Sequence, residues 1–304
     1  MKPSHAVQLL VLAALWGASF LFIRVGVVEF GVAPLMALRV LIGAAVLVIM
    51  LALRGTPRAS FATLRSHALP LFVVGVLNSA APFCLFAFAE LTLSAGLTSV
   101  INATTPLFGA LVAFVWLKDR LTVLRTVGML IGFGGVVSLV WGQIAASHGA
   151  GAPATALAAL AATGAALLYG IAANYTKRRL TGVDSLTIAT GSMIGGSLAL
   201  IPFAVATWPA GSVSLHAWGA VLSLGIACTG IAYLIFFHLI NVTGPARAIT
   251  VTFVIPVFGI LWGALFLDEQ ISASMVEGCV IVLIGTALAT GVIKRIPGLR
   301  QRPA

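Results

Sequence analysis

Hydrophobic residues run along this chain in blocks of about 20, separated by short polar breaks rich in Gly, Pro, Lys and Arg. A helix of about 20 apolar residues crosses the roughly 30 Å hydrocarbon core of a bilayer. Ten such blocks predict helical spans at 6–28, 32–53, 68–90, 94–117, 122–141, 154–177, 184–206, 216–240, 245–267 and 272–293. A β-barrel would show strands of about 10 residues with alternating polarity, and none occurs. The first block, in "MKPSHAVQLLVLAALWGASFLFIRV", is too long for a signal-peptide core and has no A-x-A-like site after it at the right place, so it reads as span 1. The longest polar break, "WGQIAASHGAGAPAT" from Trp141 to Thr155, reads as a linker between halves.

Composition agrees with the pattern. Of 304 residues, 61% are hydrophobic and 8% charged, against about a quarter charged in a soluble domain. The net charge of +10 would suit nucleic acid, but its distribution excludes that partner. Apart from Arg24 and Arg39, which fall inside spans, every Lys and Arg lies at a terminus or in the loops after spans 2, 4, 6 and 8. The positive-inside rule then predicts both termini in the cytoplasm of a multi-pass inner-membrane protein, with the lipid bilayer as its surroundings. Cys84, Cys228 and Cys279 lie in apolar runs without paired spacing, so no disulfide or zinc site is expected, and no metal or cofactor. No P-loop motif is present, so ATP is not expected to drive the protein directly.

The chain also repeats itself. A shift of 150 aligns spans 3–5 with spans 8–10 without a gap. Gly75 meets Gly225, Phe86 meets Phe236, and Pro106, Phe108, Gly109 and Leu111 meet Pro256, Phe258, Gly259 and Leu261. Leu117, Gly128, Ile131 and Gly135 meet Leu267, Gly278, Ile281 and Gly285, and Asp119 meets Glu269. A shift of 153 sets Trp16-Gly17 against Tyr169-Gly170. Each half has five spans, an odd number, so the second half enters the membrane from the opposite face. The expected fold is therefore an all-α membrane protein of ten transmembrane helices in two inverted five-helix repeats. Its expected division is 1–141, a linker 142–153, 154–293, and a basic tail 294–304. Inverted repeats of this kind place a substrate site near the midplane between the halves.

The segments "LWGASF", "PLMALRVLIGAAVL", "TTPLFGALVAFVWLKDRLTVLRTVGMLIGFGGV" and "VIPVFGILWGALFLDEQISASMVEGCVIVLIGTAL" resemble the drug/metabolite transporter superfamily, in particular its ten-helix EamA-type members. The resemblance covers nearly the whole chain, and the overall look is that of YddG-type amino-acid exporters. It implies a secondary transporter with a small-molecule substrate. Small multidrug exporters of this superfamily carry a mid-membrane Glu in their first helix, whereas span 1 here has Trp16 and Ser19 at that depth. Proton-coupled cation export is therefore disfavoured. Sugar-phosphate carriers bind phosphate with deep Lys and Arg, for which Arg39 alone is available.

Polar groups in hydrocarbon are costly and mark candidate working residues. Thr98, Asn102, Thr105 and Gly109 share a face of span 4, as helix glue or as a cavity wall. Pro106 and Pro256 each remove an N–H and free a carbonyl one turn earlier, at Asn102 and Thr252. Such carbonyls are tolerated where protein or cavity water satisfies them. Trp16 and Tyr169 sit mid-membrane, either as core packing or facing each other across the cavity. Asn78, Asn174, Thr229 and Tyr233 would complete a neutral polar lining. His238 lies on the opposite face of its helix and reads as structural. Among the membrane charges, Arg39 with Glu277 and Arg24 with Glu90 are candidate pairs, though snorkelling also accounts for Arg24 and Glu90. Arg39 is expected to close the outer mouth or to hold a substrate carboxylate. Gly128-x-x-x-Gly132 and Gly191-x-x-x-Gly195 are expected to pack within the chain, so that the protein works as a monomer.

The resulting expectation is alternating-access export of small polar metabolites, foremost amino acids including aromatic ones. Nucleoside, base or drug export is the alternative on the same fold. A membrane-embedded transferase is disfavoured, because it needs clustered His, Asp, Glu or Ser in a shared site, and the carboxylates and histidines here are scattered.

Overall fold

The computed structural model describes residues 3–54, 57–147 and 151–292. The chain is an all-helical membrane protein with ten spans. Spans 1 and 2 are α1 (Pro3–Phe30) and α2 (Val32–Leu53), followed by a short helix α3 (Pro57–Ser66). Span 3 joins α4 (Ala68–Gly75) to α5 (Ala81–Ala89), and span 4 is α6 (Ala95–Asn102) with α7 (Thr105–Leu117). Spans 5, 6 and 7 are α8 (Val123–Ala146), α9 (Gly151–Arg179) and α10 (Ser185–Ala206). Span 8 joins α11 (Leu215–Leu222) to α12 (Ala232–Thr243). Span 9 contains α13 (Pro245–Ala248), a 3-10 turn Ile249–Phe253 and α14 (Ile255–Phe266), and span 10 is α15 (Ala273–Ala289). Helix occupies much of the expected linker, since α8 runs on to Ala146 and α9 begins at Gly151. The basic tail, with Lys294, Arg295, Arg300 and Arg302, and Lys2 lie outside the described residues.

The two copies share backbone irregularities as well as residues. Spans 4 and 9 both break and restart as α-helix at aligned residues, Thr105 and Ile255. In the first copy Thr104 N donates to Ile101 O at 3.0 Å and Leu107 N to Thr104 O at 2.8 Å. In the second, Val254 N donates to Val251 O at 2.9 Å and Val257 N to Val254 O at 3.1 Å. Pro106 and Pro256 stand in the first turn of the helix that restarts after each break, where a missing N–H costs nothing. Both spans then end on an aligned residue with positive φ, Lys118 at 57° and Asp268 at 54°. The next helices start on aligned caps, with Thr122 Oγ1 accepting from Arg125 N and Ser272 Oγ from Met275 N. Spans 3 and 8 each widen into a π-helical stretch, Val76–Ala80 and Ser223–Ile231, which the hydrophobic pattern does not predict. In span 3 the cause is Pro82, whose ring disturbs the preceding turn. In span 8 the Thr229 hydroxyl donates to Leu224 O, five residues back, at 2.8 Å.

Close helix approach holds the copies together. A Cβ at Gly17 would lie 2.6 Å from Phe258 Cβ, and a Cβ at Gly170 2.7 Å from Gly109 N and 3.0 Å from Phe108 Cβ. The crossings of span 1 on span 9 and of span 6 on span 4 therefore use the same Phe-Gly step. Gly128 and Gly132 pack against span 10, and Gly191 and Gly195 against span 3, all within the chain. Small residues suit such contacts because lipid tails give no hydrophobic drive to association between spans.

Gly75 packs against the backbone of span 7, where an added Cβ would overlap the Ser192 carbonyl and lie 2.5 Å from Gly196 N. Gly75→Ala is expected to destabilise the detergent-solubilised protein by about 1–3 kcal/mol, read as a lower thermal midpoint at fixed scan rate. Gly134→Ala, where a Cβ meets nothing within 4 Å, is the control that should leave the midpoint in place.

Candidate functional site

A cavity of 460 Å³ opens between the repeats. Spans 1, 2, 3, 4, 6, 7, 8 and 9 all contribute to its wall, while the paired spans 5 and 10 do not. Of the residues expected to line it, Trp16, Ser19, Asn78, Asn102, Thr105, Tyr169, Tyr233 and Thr252 do so, and Arg39 joins them. Repeat symmetry organises the aromatic walls. Trp16 packs on Phe236 with centroids 5.2 Å apart, and its counterpart Tyr169 packs on Phe86, the counterpart of Phe236, at 6.0 Å. Trp16 also meets Tyr233 edge-on at 6.3 Å. The Tyr233 hydroxyl accepts from Asn78 Nδ2 at 3.4 Å, and Asn102 Oδ1 accepts from Thr105 Oγ1 at 3.3 Å.

Three expected lining residues lie behind the wall instead. Thr98 is fully buried and donates to Ser94 O at 2.9 Å within its own helix. Asn174 donates to Gly109 O at 2.9 Å and Gly170 O at 2.8 Å, joining spans 4 and 6. Thr229 is buried and accepts from Arg39 Nε at 3.2 Å, so it supports a lining residue without lining the cavity itself. Pro106 and Pro256 are also absent from the wall. Asn102 and Thr252, the residues one turn before the two prolines, both line the cavity, and threonine hydroxyls make further bonds beside the breaks. Thr104 Oγ1 donates to Ile101 O at 2.6 Å and Thr286 Oγ1 to Ala103 O at 3.2 Å. In span 9, Thr252 Oγ1 donates to Ile249 O at 2.8 Å.

Neither expected ion pair forms. Glu277 is exposed on span 10, which packs on span 5 away from the cavity, whereas Arg39 is buried in span 2. Arg24 Nη1 bonds the backbone carbonyl of Glu90, and the Glu90 carboxylate is buried with no hydrogen-bond partner among the described residues. Five phenylalanines of the wall, Phe20, Phe83, Phe86, Phe236 and Phe237, escape sequence reasoning because an apolar residue in an apolar helix has no distinguishing mark. The repeat alignment of Phe86 with Phe236 is the one signal that points to two of them.

The cavity has a direction. Its wall reaches Thr176 near the end of α9, Ser185 at the start of α10, and Ile249 early in span 9. These positions belong to the face that carries the basic loops. On the opposite, acidic face, contacts between repeats close the path. The Glu29 carboxylate accepts from Ser214 N at 2.7 Å and Ser214 Oγ at 2.6 Å, tying span 1 to span 8. The Glu269 carboxylate accepts from Ala95 N at 2.7 Å and Gly96 N at 3.1 Å, capping span 4 from the end of span 9. A carboxylate is favoured there by the exposed N–H groups and the helix dipole. The aligned Asp119, on the open face, lies 3.8 Å from Lys177, with both side chains more than half exposed.

A cavity between the repeats that opens to one face is the arrangement of a secondary transporter. The comparisons agree: the profile of the EamA-like transporter family matches residues 4–141 and 156–291, and the chain belongs to that family. It is a transporter and not an enzyme. The chain is 23% identical to the uncharacterized transporter YvbV of Bacillus subtilis (strain 168), over 94% of this chain and 92% of that one. It is 30% identical to a probable terminal-alkyne amino-acid exporter of Streptantibioticus cattleyicolor, over 66% of this chain and 65% of that one. A solved crystal structure, 22% identical, superposes with a TM-score of 0.68 over 97% of this chain and 100% of the other, which establishes the shared fold.

Access from one face is measurable by thiol labelling. With Cys84, Cys228 and Cys279 replaced, Thr252→Cys and Ser185→Cys are expected to react with a membrane-impermeant maleimide added to the basic face. Reaction should be at least about tenfold slower from the acidic face, the ratio expected for a rarely opened path.

Proposed function

We propose that the protein exports small carboxylate-bearing metabolites, foremost amino acids including aromatic ones, by alternating access through this cavity. The observation that carries the reading is the composition of the wall: aromatic faces, neutral donors and acceptors, and one guanidinium. Aromatic faces accommodate varied apolar side chains, and Asn78, Asn102, Thr105 and Tyr233 offer hydrogen bonds to a polar backbone. The name of the Streptantibioticus relative, an amino-acid exporter, supports the same substrate class. In this reading residues 1–141 and 154–293 are the two repeats, joined by 142–153 and followed by the basic tail 294–304. The basic face is cytoplasmic in an inner membrane, as the Lys and Arg distribution favours. The cavity then loads from the cytoplasm, and one chain suffices because all its walls come from a single copy.

The test is counterflow into proteoliposomes of purified protein, with labelled amino acids outside and excess unlabelled amino acid inside. Accumulation of at least one aromatic amino acid above protein-free vesicles is expected. Trp16→Ala should reduce it about 3- to 10-fold, the worth of one aromatic contact. Failure of every amino acid to cross, with nucleosides crossing instead, overturns the substrate class.

A further inference from the structure

The cavity wall holds one fixed charge. Arg39 lines it, and among the described residues no Asp or Glu does. An arginine does not give up its proton in a protein, so the site is cationic whenever it is unoccupied. The guanidinium is held in place by neutral groups. Nε donates to Thr229 Oγ1 at 3.2 Å and Nη2 to Ser19 Oγ at 3.3 Å, and the group lies 3.9 Å over the Phe83 ring. Among the described residues no carboxylate comes within 4.0 Å of it. A guanidinium has five N–H donors, and the described residues engage two of them. Burying a cation without an anion is costly, and the residue is only 5% exposed. Three partners fixing one fork is an arrangement suited to planar, two-point recognition of a carboxylate.

Nothing comparable awaits a positive group. An ammonium entering the wall finds neutral oxygens, one of which, Asn102 Oδ1, already accepts from Thr105, and it is repelled by Arg39. A dianion fares little better, because among the described residues the wall offers Arg39 and no second Lys or Arg.

We propose that the substrate class is apolar and aromatic monocarboxylates, with the carboxylate obligatory and the amino group dispensable. Amino acids are then one subset of what the site takes, and aromatic acids without an amino group are another. This rests on the reading of the cavity as the transport site.

The test uses four probes of one skeleton on the purified wild-type protein, with binding read by calorimetry: L-phenylalanine, 3-phenylpropionate, 2-phenylethylamine and L-phenylalaninamide. The first pair keeps the carboxylate and the second pair lacks it. We expect 3-phenylpropionate to bind within about threefold of L-phenylalanine or more tightly. The two probes without a carboxylate should bind at least about tenfold more weakly, the usual loss for a charge-assisted hydrogen bond. Arg39→Gln should erase the preference for acid over amide, and Arg39→Lys should keep it at lower affinity. If either variant fails to fold, the wild-type panel still decides. Equal binding of 2-phenylethylamine and L-phenylalanine overturns the inference and leaves amino-acid transport standing. Binding of 3-phenylpropionate without L-phenylalanine overturns the amino-acid reading and leaves the inference standing. Binding of none of the four overturns both.

Discussion

In hydrocarbon an open backbone N–H or C=O has no water to turn to, and each one left unpaired costs several kcal/mol. Two interrupted spans can therefore exist here because both interruptions lie between protein and the cavity rather than against lipid. Threonine hydroxyls add bonds beside them, Thr104 to Ile101 O and Thr286 to Ala103 O at span 4 and Thr252 to Ile249 O in span 9, while Asn102 and Thr252 face the cavity. With those bonds made, the interruptions bring Asn102, Thr105, Thr252 and Ile255 to the cavity wall. The same constraint explains the prolines. Each is placed where a helix begins again, so the restarting helix needs no N–H from it.

The second requirement of a transporter is that one face be closed while the other is open. Here the acidic face is closed by carboxylates from one repeat capping helices of the other, Glu29 on span 8 and Glu269 on span 4. The acidic end of span 9 thus caps a helix of the other repeat. On the basic face the aligned Asp119 caps no helix among the described residues and sits exposed beside Lys177. The repeats are alike in sequence and local backbone, yet their ends make different contacts. That difference is what a cavity open to one face requires. Moving between the two accesses needs only an exchange of such end contacts, while Gly17, Gly75 and Gly170 keep the helix crossings tight.

Much of this was legible in the sequence, because membrane spans and internal repeats are written in patterns. Ten spans, the register of the repeat and the special positions of Pro106 and Pro256 follow from hydropathy and alignment alone. The π-helical stretches were not legible, since Pro82 is a helix-breaking signal in one copy only and the second depends on where the Thr229 hydroxyl turns. Polar residues in spans proved ambiguous for a physical reason: the same amide or hydroxyl serves a wall or a helix contact. Asn102 and Asn174 look equivalent in sequence, yet one faces the cavity and the other bonds the Gly109 carbonyl. Charge pairing failed as a guide because Arg39 takes neutral partners and Glu277 lies exposed on a peripheral span.

The central claim is that the acidic face must part for substrate to pass. Glu29→Cys with Ser214→Cys, in a chain freed of its own cysteines, places two thiols where the Glu29 carboxylate meets Ser214. Bridging them with a short bifunctional thiol reagent should stop counterflow in proteoliposomes, and reductive release of the bridge should restore it. Counterflow that continues at full rate with the bridge in place would contradict alternating access through this cavity.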